Sequence, residues 1–478
     1  MGKDAALKKE KLEMKKIKEI ARRKAQLEKP KPKGYFWYLM VVLSLVYITD
    51  EVASQIMVQN QSNIVNEFFV QNMGLDYGTG LSYYQLLTFI SIPVMLLTLI
   101  YKPLSDKMGR KPFLVINTAL MGAGMFIIFL SQNIWVYFIG MTVITFFIMH
   151  DMHCVYILET APENRRGTLY SISKCVVVLG TLFIPLMRTI FMKNDSSKWH
   201  LVFLVPALFA FVIAFIALLC ARETDAFLIK RIEMLEMSDE EKERIKKEDA
   251  AKAAQGGIIT AFKFSFTHRQ LRNLLITSFL FTIASIATST YNTVLSESYG
   301  LSETQITTVL FFYPFGNAFF TLISGFFSDR LGRKQASVIM SVCAIASYIL
   351  MLVGLICAFP NWLIGLFIGA FVGAYWSAGD TVGGIMHAES APTNLRSSVT
   401  TVQFIISNIG GLLGQLAAMI LQTFIATSAF GIMYTLIAVP SMALALIVLV
   451  KNVGETRGLD LKEVTGAEWD KPKKKESA

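Results

Sequence analysis

The residues of this chain that could do chemistry are ionisable and polar side chains set inside long apolar segments. Asp50 and Glu51 share one segment, His150, Asp151 and His153 a second, Lys174 and Arg188 a third, and Asp380 and His387 a fourth. A charge at depth in hydrocarbon costs ~2.5–3.5 kcal/mol and is kept where it faces a partner, a water-filled path or a proton relay. Buried carboxylates hold protons closer to neutrality than exposed ones, which makes Asp50, Glu51, Asp151 and Asp380 candidate proton carriers, with His150 and His153 as titrating neighbours. Lys174, Arg188 and the histidines could receive an anionic solute. Tyr291 and Asn292 add uncharged polar groups, and Trp376 a ring on which a solute can stack. No nucleophile elbow, Gly-x4-Gly-Lys-Ser/Thr phosphate loop or metal-ligand spacing occurs, so no enzyme, cofactor or metal centre is expected. The five cysteines all fall in apolar stretches and read as packing residues.

Spacing refines these assignments. Asp151 lies eight residues before Glu159 and Lys174 eight after Arg166, which puts each ~12 Å from its helix end and predicts an Asp151–Lys174 pair. Lys174 and Arg188 are nearly four turns apart and share one stripe through Val178, Thr181 and Pro185. Arg188 snorkels to the outer headgroups, binds a carboxylate or forms an ion pair. Asp380 follows His150 by 230 residues, and Gly373, Trp376, Gly383 and His387 are expected near one helical face around it. The steps Gly365–Gly369–Gly373 and Gly410–Gly414 predict close helix packing.

The elements that must position these groups follow from composition. The chain has 478 residues, 54% hydrophobic and only 17% charged, with apolar blocks long enough to cross ~30 Å of hydrocarbon. Soluble multidomain, nucleic-acid-binding and disulfide-scaffold readings are excluded. Twelve spans are predicted near 36–57, 81–101, 112–130, 134–157, 167–191, 200–220, 271–295, 304–327, 335–357, 361–387, 397–422 and 428–450. The fold class is therefore an all-α polytopic membrane protein with two six-helix bundles, 35–220 and 271–451. A tail (1–34), a linker with short helices (221–270) and a second tail (452–478) complete it. The net charge of +10 is concentrated in residues 1–34, with 13 Lys and Arg against 5 acids. That tail reads as a solvated topology signal or a contact with anionic lipid. Basic residues cluster in alternate loops (Lys107, Arg110, Lys111, Arg330, Arg333, Lys334, Arg396), which places both termini in the cytoplasm of a cell-membrane protein.

The two halves repeat. Ser105-Asp106-Lys107-Met108-Gly109-Arg110-Lys111 returns as Ser328-Asp329-Arg330-Leu331-Gly332-Arg333-Lys334, Glu159 to Arg166 returns as Glu389 to Arg396, and Arg222-Glu223-Thr224 is echoed by Gly454-Glu455-Thr456. The recurring charges Asp106, Arg110, Glu159, Arg166, Asp329, Arg333, Glu389 and Arg396 predict a cytoplasmic gate, whose pairs hold the bundles together when that side is shut. These motifs resemble those of the major facilitator superfamily of secondary transporters, and the Glu-x6-Arg elements those of its sugar-porter, organic-ion and metabolite:proton symporter branches. The resemblance implies alternating access around a cavity lined by spans 1, 4, 7 and 10. The expected function is proton-coupled symport of a small polar organic solute, with a carboxylate-bearing metabolite first. A sugar ranks second, because span 7 around Ser278 lacks the paired glutamines of typical hexose carriers. An organic cation or drug, and a transporter-like solute receptor, are further alternatives. The expected partners are solute, protons and the bilayer, with no nucleic acid, and the unit is a monomer.

Overall fold

The computed structural model describes residues 2–97, 101, 104–105, 107–148, 152–161, 166–193, 195–238, 240–241, 243–244, 258–392, 395–459 and 464. Among them, eleven helices are long and apolar enough to cross a membrane. Span 1 is Tyr35–Gln59, span 3 Arg110–Phe129, span 6 Trp199–Cys220, span 8 Glu303–Arg330, span 9 Arg333–Ile356, span 11 Arg396–Gln422 and span 12 Phe430–Asn452. Span 4 is described over Ile134–Ile148 and Met152–Thr160, and span 5 over Arg166–Gly180 and Phe183–Phe191. Span 7 begins as Arg269–Ile283 and span 10 as Asn361–Asp380. Span 2, Tyr77–Leu96, completes the twelve. Its Gln85, Thr88 and Ser91 line the interior rather than face lipid.

Each half packs as a bundle of six, and the bundles meet along two seams, span 5 against span 8 and span 2 against span 11. The small-residue steps set the closest approaches. A Cβ added at Gly365, Gly369 or Gly373 would collide with the backbone carbonyls of Val309, Tyr313 and Asn317, so span 10 lies directly on span 8. Gly410 and Gly414 meet the carbonyls of Phe279 and Ile283 in the same way, seating span 11 on span 7. Without a hydrophobic drive between helices in lipid, such backbone contact supplies the packing energy.

The sequence repeat becomes a structural one. Span 1 continues beyond Asn60 as Gln61–Val65 and span 7 beyond Thr290 as Tyr291–Thr293, and both end in a π-helical turn, Asn66–Gln71 and Val294–Ser298. Gly109 (φ 120°) and Gly332 (φ 103°) open spans 3 and 9 from backbone conformations that a side chain would strain. Both sit against a carboxylate, Glu223 and Glu455 respectively.

The basic tail folds back on the linker. Gly2–Glu28 is one helix, docked on the linker helix Asp225–Glu236 that follows span 6. Arg23 pairs with Glu19 at 2.8 Å, Arg231 reaches the same Glu19 at 3.4 Å, and Lys24 pairs with Glu236 at 2.6 Å. Ile20 and Leu27 are half-buried on the docked side. The linker and the end of span 12 lie on this same face of the molecule, hereafter the terminal face. The opposite one is the far face.

Candidate functional site

A cavity of roughly 2220 Å³ lies between the bundles and opens on the terminal face, where Ser105, Arg110, Asp329 and Arg333 line its mouth. Its deeper wall draws on spans 1, 4, 7 and 10, through Gln61, Thr145, Ser285 and Trp376, and also on spans 2, 5, 8 and 11. Most polar groups there are hydroxyls and amides. Two of them, the Gln85 side-chain amide and Ser278 Oγ, are buried without a hydrogen-bond partner in the protein, although each lines the cavity. Trp376 exposes 47% of its surface in the same wall. Behind it, Tyr375 stacks on Phe281 (centroids 4.5 Å apart) and donates to the Phe281 carbonyl at 2.9 Å, fixing this part of span 10.

Of the charges expected inside the membrane, Lys174 and Asp380 come together. Lys174 Nζ lies 3.2 Å from Asp380 Oδ2, bridging span 5 of one bundle and span 10 of the other across the cavity. Asp106, His150 and Asp151 lie outside the described residues, as does the side chain of Arg166. The expected Asp151–Lys174 pair therefore falls outside them too.

Asp50 does not face this cavity. It is buried within the first bundle, where it lines a small internal void with Asn117 and His153. The His153 ring stacks on Tyr47 at 4.1 Å, 27° from parallel. Glu51, one residue on and so rotated by about 100°, is half-buried and accepts from Gln55 at 3.4 Å.

Arg188 does not line the cavity and takes the ion pair among its expected readings: it is fully buried, paired with Glu303 of span 8, and donates to Gln59 O at 2.9 Å and Asn60 Oδ1 at 2.6 Å. Glu303, its side chain 25% exposed, lies across the seam from it. Tyr291 and Asn292 do not line the path either, because the cavity is closed beneath them. Asn292 Oδ1 accepts from Ser62 N at 3.0 Å and from Ser62 Oγ at 2.8 Å, and its Nδ2 donates to Gln59 O at 3.0 Å. Tyr291 is buried beside Tyr313. His387 is fully buried, its Nδ1 2.7 Å from Val382 O. The π-helical turn Thr381–Met386 adds a residue after Asp380 and rotates His387 off the face of Trp376.

These contacts belong to a seal that joins the bundles on the far face. Tyr77 and Gln61 of the first bundle hydrogen-bond Thr293 of the second at 3.0 and 2.9 Å, Asn66 donates to Glu297 at 3.0 Å, and Ser82 Oγ donates to Met419 O at 2.8 Å. The structure is thus open on one face and shut on the other.

The predicted gate charges brace each bundle separately in this state. Arg110 pairs with Glu159 at 3.1 Å and donates to Ser105 Oγ at 3.0 Å, and Arg333 pairs with Glu389 at 3.4 Å, with Asp329 at 3.0 Å and with Ser328 Oγ at 2.8 Å. Arg396 donates to Ala391 O at 3.3 Å. Glu223 accepts from the backbone N–H of Arg110 at 2.8 Å, and Glu455 from that of Arg333 at 2.8 Å, each carboxylate capping a helix N-terminus. Thr224 and Thr456 donate to Glu159 and Glu389. Glu223, Thr224, Glu455 and Thr456 were absent from the expected gate. The echo of Glu-Thr in both halves was their signal in the sequence. Burial pushes the Glu223 carboxyl above its usual range, against the lowering effect of its backbone hydrogen bonds.

Two bundles of this kind, open to one face and braced by duplicated loops, are the architecture of an alternating-access carrier. The sequence profile of the Major Facilitator Superfamily matches residues 36–415, and a second match covers 274–475. The chain belongs to the major facilitator superfamily. Among superfamily relatives, the glucose transporter GlcP of Staphylococcus epidermidis is 25% identical over 76% of this chain and 83% of its own length. A putative metabolite transport protein of Bacillus subtilis, YwtG, is 25% identical over 76% of this chain and 81% of its own. In three dimensions, a solved D-xylose–proton symporter superposes with a TM-score of 0.67 at 15% identity, covering 89% of this chain and 99% of its own. As a superfamily member the chain is a multi-pass membrane transporter, and its twelve spans form the two six-helix bundles of the fold.

Proposed function

We propose that this protein is a proton-coupled transporter of a neutral, sugar-class solute, with its cavity open to the cytoplasm. The observation that carries this reading is the charge balance of the cavity. Its mid-depth cation, Lys174, is matched by Asp380 at 3.2 Å, and the surrounding polar surface is hydroxyl and amide. A carboxylate solute would have to displace Asp380 from Lys174, whereas a polyhydroxyl solute exchanges hydrogen bonds with Gln85, Ser278 and their neighbours and stacks on Trp376. The sugar alternative therefore ranks above the carboxylate metabolite, in line with the named activities of GlcP and the xylose–proton symporter.

Asp50 is the proposed proton carrier, a carboxyl buried beside His153 and Asn117 in the bundle that also supplies Lys174. The terminal face is the proposed cytoplasmic side, because the loops on it carry the Lys and Arg excess. Uptake by the purified chain in liposomes tests the reading, with aldoses and small carboxylates compared with and without an imposed proton gradient. Gradient-driven accumulation of an aldose is expected. Accumulation of carboxylates alone would reverse the ranking, and uptake indifferent to the gradient would remove the coupling.

A further inference from the structure

The N-terminal helix has two unlike sides. Its docked side, through Glu19 and Arg23, grips the linker helix, and the Arg23 guanidinium lies 5.1 Å from the Phe227 ring centroid. The gate residue Arg110 lies 5.9 Å from the same centroid. The other side is uncommitted. Lys11, Lys15, Lys18 and Arg22 recur at steps of four, three and four, which puts them in one row along the helix, and all four are exposed. Beside that row stand Met14 and Ile17, 51% and 64% exposed. Solvent alone does not account for two large apolar side chains flanking a basic row.

Position supplies the rest. Six residues, 29–34, separate the helix from span 1, a reach of at most about 20 Å. Arg222, at the end of span 6, donates to the carbonyls of Lys29 (3.3 Å) and Pro30 (2.9 Å), which pins the helix exit beside the ends of two spans. We infer that this helix is a membrane-surface strap, with Lys11, Lys15, Lys18 and Arg22 taking anionic phospholipid headgroups and Met14 and Ile17 entering the layer beneath. Charge complementarity and tethering at the bilayer's edge select that partner, since an anionic leaflet is the acidic surface already within reach. Amphipathic helices of this kind bind by buried apolar area plus headgroup attraction.

The test uses the full chain, its native cysteines replaced, with a nitroxide on Ile17→Cys in nanodiscs of phosphatidylcholine alone or with phosphatidylglycerol added. Collisional access of oxygen and of a water-soluble nickel chelate is measured. The expected result is higher oxygen and lower nickel access only when the anionic lipid is present, reversed by raised salt. K11Q/K15Q/K18Q/R22Q should abolish the change, with membrane association weakening by about fivefold per residue neutralised. Equal collision profiles in the two lipids would overturn the inference, as would a response that salt does not diminish. Salt titration of the labelled chain alone decides the matter if the quadruple variant does not fold. Protection by polyglutamate but not by phosphatidylglycerol would also overturn it, in favour of an acidic protein partner.

Discussion

Lys174 and Asp380 join opposite bundles across the open cavity, 3.2 Å apart and 206 residues apart in the chain. Their side chains are 32% and 59% exposed, so water screens the pair and its own contribution is ~1 kcal/mol or less. On the proposed reading it keeps the solute path neutral. Lys174→Gln or Asp380→Asn alone breaks this pair, and each should slow uptake about tenfold, while Lys174→Gln/Asp380→Asn together should recover much of the rate. Initial-rate uptake in liposomes checks this. A double variant no faster than either single one would show that the charges themselves, not their balance, are required.

Asp50→Asn should abolish accumulation driven by a proton gradient and spare exchange of labelled for unlabelled solute, because the change removes a titrating group without touching the cavity wall. Counterflow and gradient-driven uptake on the same vesicles separate the two. Undiminished accumulation would exclude Asp50 as the carrier.

Arg188→Gln leaves Glu303 without its guanidinium, and Glu303→Gln leaves a fully buried cation without its counter-charge. Removing one member of a fully buried pair costs ~3–5 kcal/mol, less here because Glu303 is 25% exposed, and the cost falls on the state with the far face shut. Glu303→Gln is therefore expected to open the far face, and Arg188→Gln/Glu303→Gln to restore closure. Spin labels on Met73→Cys and Phe424→Cys, exposed in far-face loops of opposite bundles, would report the separation by pulsed EPR.

Gly369→Ala should destabilise the second bundle by ~3 kcal/mol or more, since its new Cβ meets the backbone carbonyl of Tyr313 and spans 8 and 10 would have to part. Gly384→Ala, with nothing within 4 Å of the added atom, is the matched control. Thermal unfolding in detergent compares them, and equal melting temperatures would contradict the packing described.

The Glu223 carboxyl is raised by burial, which fixes the sign of its pH effect. The folded state favours the protonated form, so the stability that this group contributes is present below its unfolded value and lost as pH rises through the folded one. Glu223→Gln should thus gain on the parent, on the order of 1 °C in melting temperature, as pH is raised from about 4 to about 7. A difference that shrinks over that interval would refute the assignment.

The charges around Arg110 and Arg333 are legible in the sequence because both halves encode a glycine, an arginine and a glutamate at fixed offsets, but the expected pairing is between the bundles, whereas here each set braces its own bundle. The apolar blocks likewise fixed the spans, and the glycine steps their packing. What spacing could not supply were partners from the other half. Arg188 finds Glu303 115 residues away, and Lys174 finds Asp380 through a cavity that only the assembled bundles create. His387 was misplaced for a different reason. Extrapolating 3.6 residues per turn fails across a π-helical turn, and nothing in Thr381-Val382-Gly383-Gly384-Ile385-Met386 announces one.

The π-helical turns at the ends of spans 1 and 7 carry a mechanical consequence. Each is an α-helix holding one residue more than its pitch needs, a stored length of slack. Passing that residue one position along the helix rotates everything it crosses by about 100° while breaking few backbone hydrogen bonds. Asn63, which donates to Glu303, and Asn292, which accepts from Ser62, stand just ahead of those turns on the two sides of the far-face seal. A shift of either turn past its asparagine would rotate that side chain off its partner, which ties the pitch of spans 1 and 7 to closure of the far face.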